Sequence, residues 1–154
     1  MKSVIQIIEE KQVNEISIDL AKNVFQIYGV NQAKKRQLSR KISRKEFLDL
    51  IPDLKGKRIY MEACAGANHF GRLMEQAGNT VCLIAPQYVS PYVIRNKNDQ
   101  VDAKAIYKAS QDEDVHFVAV KQQEQQIVQM LHKLRKKEME MRNKRILEIR
   151  SYLQ

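Results

Sequence analysis

Strand and helix patterns follow one another along this chain in an order that restricts its fold. Two runs rich in β-branched and aromatic residues, at positions 16–20 and 24–30, flank a polar turn and predict a hairpin. An alternating run at positions 35–42 can add a third strand. Helix and strand patterns then alternate, at positions 43–51, 58–63, 68–76, 80–85, 99–109 and 115–120. Each strand, helix, strand step predicts a parallel crossover.

This order predicts both a fold class and a domain boundary. A three-stranded meander followed by parallel crossovers gives a mixed sheet flanked by helices, the arrangement of an α/β domain that is RNase H-like. In that arrangement the first and fourth strands lie side by side at the centre of the sheet. The 154 residues suffice for one domain with its own core. We expect this domain over residues 1–120 and a separate helical segment over residues 121–154.

Residues 121–154 contain no Gly or Pro and predict one long amphipathic helix. Apolar residues keep to one face from Ile127 to Met141, and Ile146, Ile149 and Leu153 continue that face with a shift in phase. Such a helix either packs on its own domain or pairs with another helix as a coiled coil. We favour pairing, and therefore expect a homo-oligomer, a dimer or higher, that forms through this helix.

The charge balance points to a polyanionic partner. The chain has 27 Lys and Arg against 18 Asp and Glu, a net charge of +9, so nucleic acid is the leading partner class. Seven basic residues and no acidic one fall between Lys34 and Lys45, which suits contacts along a phosphate backbone. A solvated strand edge, protected by lysines, explains the same run equally well. The predicted nucleic-acid contacts are Lys34, Lys35, Arg36, Arg40, Lys41, Arg95 and Lys97.

Other sequence features argue against secretion and membrane insertion. The cysteines Cys64 and Cys82 have no partners at zinc-like spacing and are typical of reduced thiols. No apolar run approaches the ~18 residues that span a bilayer. Glu9 and Glu10 come too early for a signal peptide. We therefore expect an intracellular protein with no membrane partner.

Two carboxylates interrupt strand patterns that are otherwise apolar. Asp19 lies in ISIDLA on the first strand and Glu62 in IYMEACAG on the fourth. An unpaired carboxylate in such surroundings carries a large desolvation cost. A hard divalent cation such as Mg²⁺ or Mn²⁺, which prefers oxygen ligands, would offset that cost.

Asp99 and Asp102 add two further carboxylates on the first turn of a predicted helix. At positions i and i+3 they project from one face of the helix. Taken alone, they are explained by the helix macrodipole, which favours anions at an N-terminus by ~0.3–1 kcal/mol. Together with Asp19 and Glu62, however, they form a set of four carboxylates that can hold two Mg²⁺ ions ~4 Å apart.

Four stretches of the sequence, in their order along the chain, carry a resemblance to a known protein family. They are SIDLAKNVFQIYGV, MEACAGANHFGRLMEQAG, VCLIAPQYVSPYVIRNKNDQVDAKAI and FVAVK. Together they resemble the N-terminal catalytic domain of the DEDD transposases of bacterial insertion sequences. This is the IS110 and IS1111 group, which includes the Piv-type DNA invertases. The resemblance covers roughly residues 15–121 and implies a RuvC-type, RNase H-like fold whose acidic tetrad is Asp19, Glu62, Asp99 and Asp102. It also implies metal-dependent recombination of DNA, guided by a structured RNA, in the bacterial cytoplasm at the nucleoid.

Two departures limit what the resemblance carries over. Ser17 stands where the family usually has Gly in its G-I-D-x-[AS]-K motif, a change that a strand should tolerate. Family members also continue past the long helix into a second domain that supplies a nucleophilic serine, so we do not expect complete recombination from residues 1–154 alone. Two alternatives stay open: a non-catalytic fragment that binds nucleic acid and self-associates, and a nuclease of the Holliday-junction type.

Overall fold

The computed structural model describes residues 3–64, 66–93 and 101–153. The chain divides into two compact units, Met1–Val120 and Lys121–Gln154. The strands are β1 Val13–Asp19, β2 Val24–Asn31, β3 Arg36–Ser43, β4 Arg58–Glu62, β5 Thr80–Ile84 and β6 Phe117–Val118. The helices are α1 Val4–Glu10, α2 Arg44–Leu50, α3 Ala67–Gln76, α4 Pro86–Val89, α5 Val101–Ala109 and α6 Gln123–Tyr152, with single 3₁₀ turns at Ile51–Asp53 and Ser90–Tyr92.

The six strands form one mixed sheet in the order β3-β2-β1-β4-β5-β6. Strands β1, β2 and β3 pair antiparallel, and β4 pairs parallel with both β1 and β5. This confirms the predicted α/β class, the meander, the crossover and the central position of β1 beside β4. The last strand was predicted over residues 115–120 but is shorter, because only Leu83 and Ile84 of β5 find antiparallel partners in it.

The two faces of the sheet bury different helices. One face packs alternate strand residues such as Ile16, Ile18 and Met61 against α1, α2 and α3. Its centre is a group of three aromatic rings, in which Phe25 meets Phe47 and Phe70 edge to face at centroid distances of 4.8 and 5.1 Å. The opposite face packs residues such as Tyr60 and Ile84 against α5.

Local signals in the sequence fix several helix ends. The Ser43 side chain accepts a hydrogen bond from the backbone N–H of Glu46, and the Glu46 carboxylate accepts one from the backbone N–H of Ser43. This capping box marks the start of α2, where the sequence predicted a helix from position 43. Gly78 ends α3 with φ +88°, a left-handed conformation that favours glycine.

Helix α6 is a continuous helix of 30 residues. Its apolar side chains are exposed, among them Leu131 at 57% and Leu134 at 50%. The long C-terminal helix predicted from the sequence is thereby confirmed. Among the described helices, none combines the length and the hydrophobicity that crossing a bilayer requires.

Candidate active site

Two acidic residues lie side by side where the central parallel strands end. Asp19 is the last residue of β1 and Glu62 is the last residue of β4. The register pairs Ser17 with Tyr60 and Ile18 with Met61, so the two carboxylate-bearing residues come next on both strands. Ligands of open α/β sheets bind at this carboxyl edge. The adjacency follows from strand order, as the sequence predicted.

Helix α5 brings a third carboxylate to the same face of the sheet. Side chains alternate along a strand, so Asp19 shares its face with Ser17, and Glu62 shares its face with Tyr60. That face is the one covered by α5, whose Ala103 and Ala105 are fully buried against it. Asp102 lies in the first turn of α5 with an exposed side chain. The fold thus brings three carboxylates to one end of the sheet, those of Asp19, Glu62 and Asp102.

The three carboxylates repel one another. Burial raises the pKa of Asp19 above its ordinary value, and the negative charge of Asp102 raises it further. Burial also raises the pKa of Glu62, and the charges of Asp19 and Asp102 add to that increase. For both Asp19 and Glu62, every cause of the shift that the described residues provide raises the pKa. The site therefore holds two strand carboxylates whose charged forms are disfavoured by burial and by neighbouring negative charge.

The donor chemistry of this site fits a hard divalent cation. All three side chains offer carboxylate oxygens, the ligands that Mg²⁺ and Mn²⁺ prefer. In residues 3–64, 66–93 and 101–153, however, no three Asp, Glu, His or Cys side chains are already close enough to hold an ion. The fourth predicted carboxylate, Asp99, lies outside the described residues, as do Arg95 and Lys97. Mg²⁺ usually binds to proteins through one or two carboxylates and keeps several waters.

Ser17 has a role in this region that sequence reasoning missed. Its side chain is fully buried, and its hydroxyl donates a hydrogen bond to the backbone carbonyl of Ala103 at 2.6 Å. The hydroxyl thus joins β1, two residues before Asp19, to α5, one residue after Asp102. A polar residue inside the apolar run ISIDLA was the available signal, but its partner lies 86 residues away and could not be read from the sequence.

The predicted nucleic-acid contacts that the structure describes fall on β3 and the turn before it. Strand β3 is an edge strand, and the side chains of Lys35, Arg36 and Lys41 are exposed. The Lys34 side chain also makes contacts within the protein, because its ammonium group lies 3.0 Å from the Glu15 carboxylate and donates to Gln111 at 2.8 Å. All of these basic side chains, including Lys34 and the half-buried Arg40, stay predicted contacts.

Comparison with known proteins finds relatives of this chain among transposases. The sequence model of a transposase family, the DEDD type of the IS110 group, matches residues 16–154. The chain is 40% identical over 144 residues to the transposase for insertion sequence element IS1111A of Coxiella burnetii, covering 94% of this chain and 40% of that protein. It is 38% identical over 141 residues to a probable family 20 transposase of Pseudomonas aeruginosa, covering 92% of this chain and 42% of that protein.

A third relative is also a transposase. The chain is 37% identical over 123 residues to the transposase for insertion sequence element IS1328 of Yersinia enterocolitica, covering 80% of this chain and 37% of that protein. The chain therefore spans about two fifths of the length of these curated relatives.

Proposed function

This chain belongs to the DEDD transposase family of the IS110 type, and from that premise we propose that residues 1–120 form a catalytic domain that acts on DNA phosphodiesters with a divalent metal. The carboxylates of Asp19, Glu62 and Asp102, together with Asp99, are the proposed metal ligands and catalytic residues. The observation that carries the proposal is the convergence of three mutually repelling carboxylates at the carboxyl edge of β1 and β4.

The proposed fold family is RNase H-like, of the RuvC type. Its support is the strand order, in which an antiparallel meander is extended by parallel strands on the β1 side. The proposed cofactor is Mg²⁺ or Mn²⁺, as two ions. When bound, such ions would stabilise negative charge on the phosphodiester oxygens. The strand carboxylates would hold them in a fixed position, while Asp102 would approach from α5.

We propose DNA and a structured guide RNA as the partners of this domain. Their support is the net charge of +9 and the exposed basic residues on the edge strand β3. We also propose that α6 pairs with a second copy of itself as a coiled coil, because its apolar side chains are exposed along the helix.

The metal proposal is tested by thermal unfolding with and without Mn²⁺ or Mg²⁺. In wild-type protein the metal should raise the midpoint, because an ion that binds only the folded state stabilises it. Asp102→Asn should abolish that rise and should raise the metal-free midpoint, because it removes a charge that repels Asp19 and Glu62. The matched control is Asp53→Asn, which makes the same chemical change at another exposed aspartate. The charge of Asp53 is not among the causes that shift the pKa of Asp19 or Glu62.

A second candidate function is nucleic-acid binding without catalysis by this part of the chain. It is favoured by the finding that the described carboxylates do not form a ready-made site for an ion. The same unfolding experiment separates the two functions. If neither wild type nor Asp102→Asn responds to metal, while the protein still binds nucleic acid, the chain is a binding module.

A further inference from the structure

The hydrogen bond between Ser17 and Ala103 is a cross-link between the two elements that carry the acidic site. Ser17 is 0% exposed and lies on β1, which ends at Asp19. Ala103 lies in the first turn of α5, next to Asp102. The 2.6 Å separation of Ser17 Oγ and the Ala103 carbonyl oxygen is at the short end of the range for O–H···O hydrogen bonds.

The Ser17 hydroxyl has one proton and two carbonyls within reach. The second carbonyl, that of Tyr28 on the neighbouring strand β2, is 3.4 Å away and makes a much weaker acceptor. The proton is therefore donated to α5 and not along the sheet. A carbonyl has two lone pairs, so Ala103 can accept from Ser17 without giving up its bond within the helix.

The described side chains of α5 that pack on the sheet are mostly small. Ala103, Ala105, Ile106, Tyr107 and Ala109 are buried. Three of these five are alanines, which let the helix approach the sheet closely but have few side-chain atoms to interlock with it. Ile106 and Tyr107 lie beyond the first turn, whereas the hydrogen bond from Ser17 adds a directional contact at Ala103, next to Asp102.

We propose that Ser17 is a positioning residue, whose hydroxyl fixes the first turn of α5 on β1 and so sets the separation between the carboxylates of Asp19 and Asp102. The proposal deepens the proposed function, because it takes those carboxylates as the metal-binding group. It adds a residue that touches neither metal nor substrate. Groups that hydrogen-bond directly to metal ligands alter metal affinity by about 10- to 100-fold when they are removed, and for Ser17, which acts through the backbone next to Asp102, we expect the low end of that range.

The test compares three variants. Ser17→Ala removes the hydroxyl, and Ser17→Thr restores one at the same place. Ser110→Ala is the matched control, because it also removes a buried serine hydroxyl that donates to a carbonyl of α5, that of Tyr107 at 2.7 Å, but at the opposite end of the helix. Two quantities are measured on the full chain: the affinity for Mn²⁺ by calorimetry, and the amide hydrogen exchange of α5 and β4 without metal.

For Ser17→Ala we expect the Mn²⁺ affinity to fall at least about tenfold. We also expect faster exchange of the amides of α5 with unchanged exchange in β4. Ser17→Thr should recover part of the affinity, and Ser110→Ala should leave it at the wild-type value. The proposal is overturned if Ser17→Ala matches Ser110→Ala in Mn²⁺ affinity, or if exchange accelerates equally in α5 and β4, which would mean general destabilisation.

Failure of the proposed function gives a different result. If wild-type protein does not bind Mn²⁺, the metal site is wrong whatever Ser17 does. The exchange measured without metal then decides the positioning role by itself, since selective loosening of α5 in Ser17→Ala supports the role and its absence refutes it.

Discussion

Asp19 and Glu62 give the stability of this domain a pH dependence opposite to that of an ordinary surface carboxylate. Their pKa values are raised above the usual 3.8 and 4.5, so the folded protein holds these protons more tightly than the unfolded chain does. Their contribution to stability is therefore fully present below the unfolded pKa values and is lost as the pH rises through the raised ones. Residues Glu46 and Asp112 act in the other direction, because hydrogen bonds lower their pKa values.

We therefore expect Glu62→Gln to become more stable relative to wild type as the pH rises above about 4 in metal-free buffer. Comparing the variant with wild type cancels the contributions of Glu46 and Asp112. The measurement is chemical denaturation of both proteins at a series of pH values from acidic to neutral. A difference in unfolding free energy that stays constant over this range would mean that Glu62 titrates normally and that the carboxylates do not repel one another.

Individual residues also mark the limit of prediction from sequence. The adjacency of Asp19 and Glu62 was predictable because it depends only on strand order and on the length of two strands. The bond of Ser17 to Ala103 and that of Lys34 to Gln111 join residues 86 and 77 positions apart. Such contacts depend on how a helix is seated on the sheet, which hydrophobic periodicity does not specify.

At the scale of elements, prediction succeeded where a local signal set the boundary. The capping box of Ser43 and Glu46 and the stop at Gly78 are examples. Helix α1 was not predicted, although Ser3 and Gln6 form a capping box and Ile8 is buried in the core. The S-x-x-Q pattern before an apolar run could have revealed it. Strand β6 is short for a non-local reason, since its length depends on pairing with β5.

Helix α3 provides a test of close packing between elements. A Cβ atom added to Gly71 would lie 2.9 and 3.1 Å from the two methyl carbons of Val120. In an open helix, Gly→Ala is stabilising by about 1 kcal/mol. Here we expect Gly71→Ala to destabilise the domain by about 1–3 kcal/mol, because the added methyl group overpacks the contact.

A double-mutant cycle isolates this contact. Val120→Ala removes the clashing methyl groups, so Gly71→Ala should become neutral or stabilising in the Val120→Ala background. Urea denaturation of the four proteins measures the coupling free energy. If Gly71→Ala costs the same in both backgrounds, α3 does not approach Val120 as closely as the structure indicates.

At the scale of the whole molecule, α6 presents a problem of exposed surface. The segment 121–154 carries nine Lys and Arg against four Glu, a net charge of +5. Along it, Ile127, Leu131 and Leu134 are each about half exposed, at 48%, 57% and 50%. At about 100° per residue these three side chains fall within one stripe, which is the geometry of a helix-pairing surface. Pairing would bury the stripe but would bring two positively charged helices together.

Self-association through this stripe makes two linked predictions for sedimentation velocity of the full chain. Wild-type protein should associate more strongly as the protein concentration rises, and also as salt is added, because salt screens the repulsion between the helices. Leu134→Gln should weaken association by about tenfold or more, since a buried leucine side chain contributes ~1.5–3 kcal/mol. Leu147→Gln is the matched control, because it makes the same change at an exposed leucine ~220° around the helix from Leu134.

The pattern of outcomes identifies the surface as well as the association. Loss of association in Leu134→Gln alone supports pairing through the predicted stripe. Equal losses in both variants would indicate that a general increase in polarity, and not one face of α6, controls the assembly. A wild-type chain that stays monomeric at every concentration and salt level would contradict self-pairing.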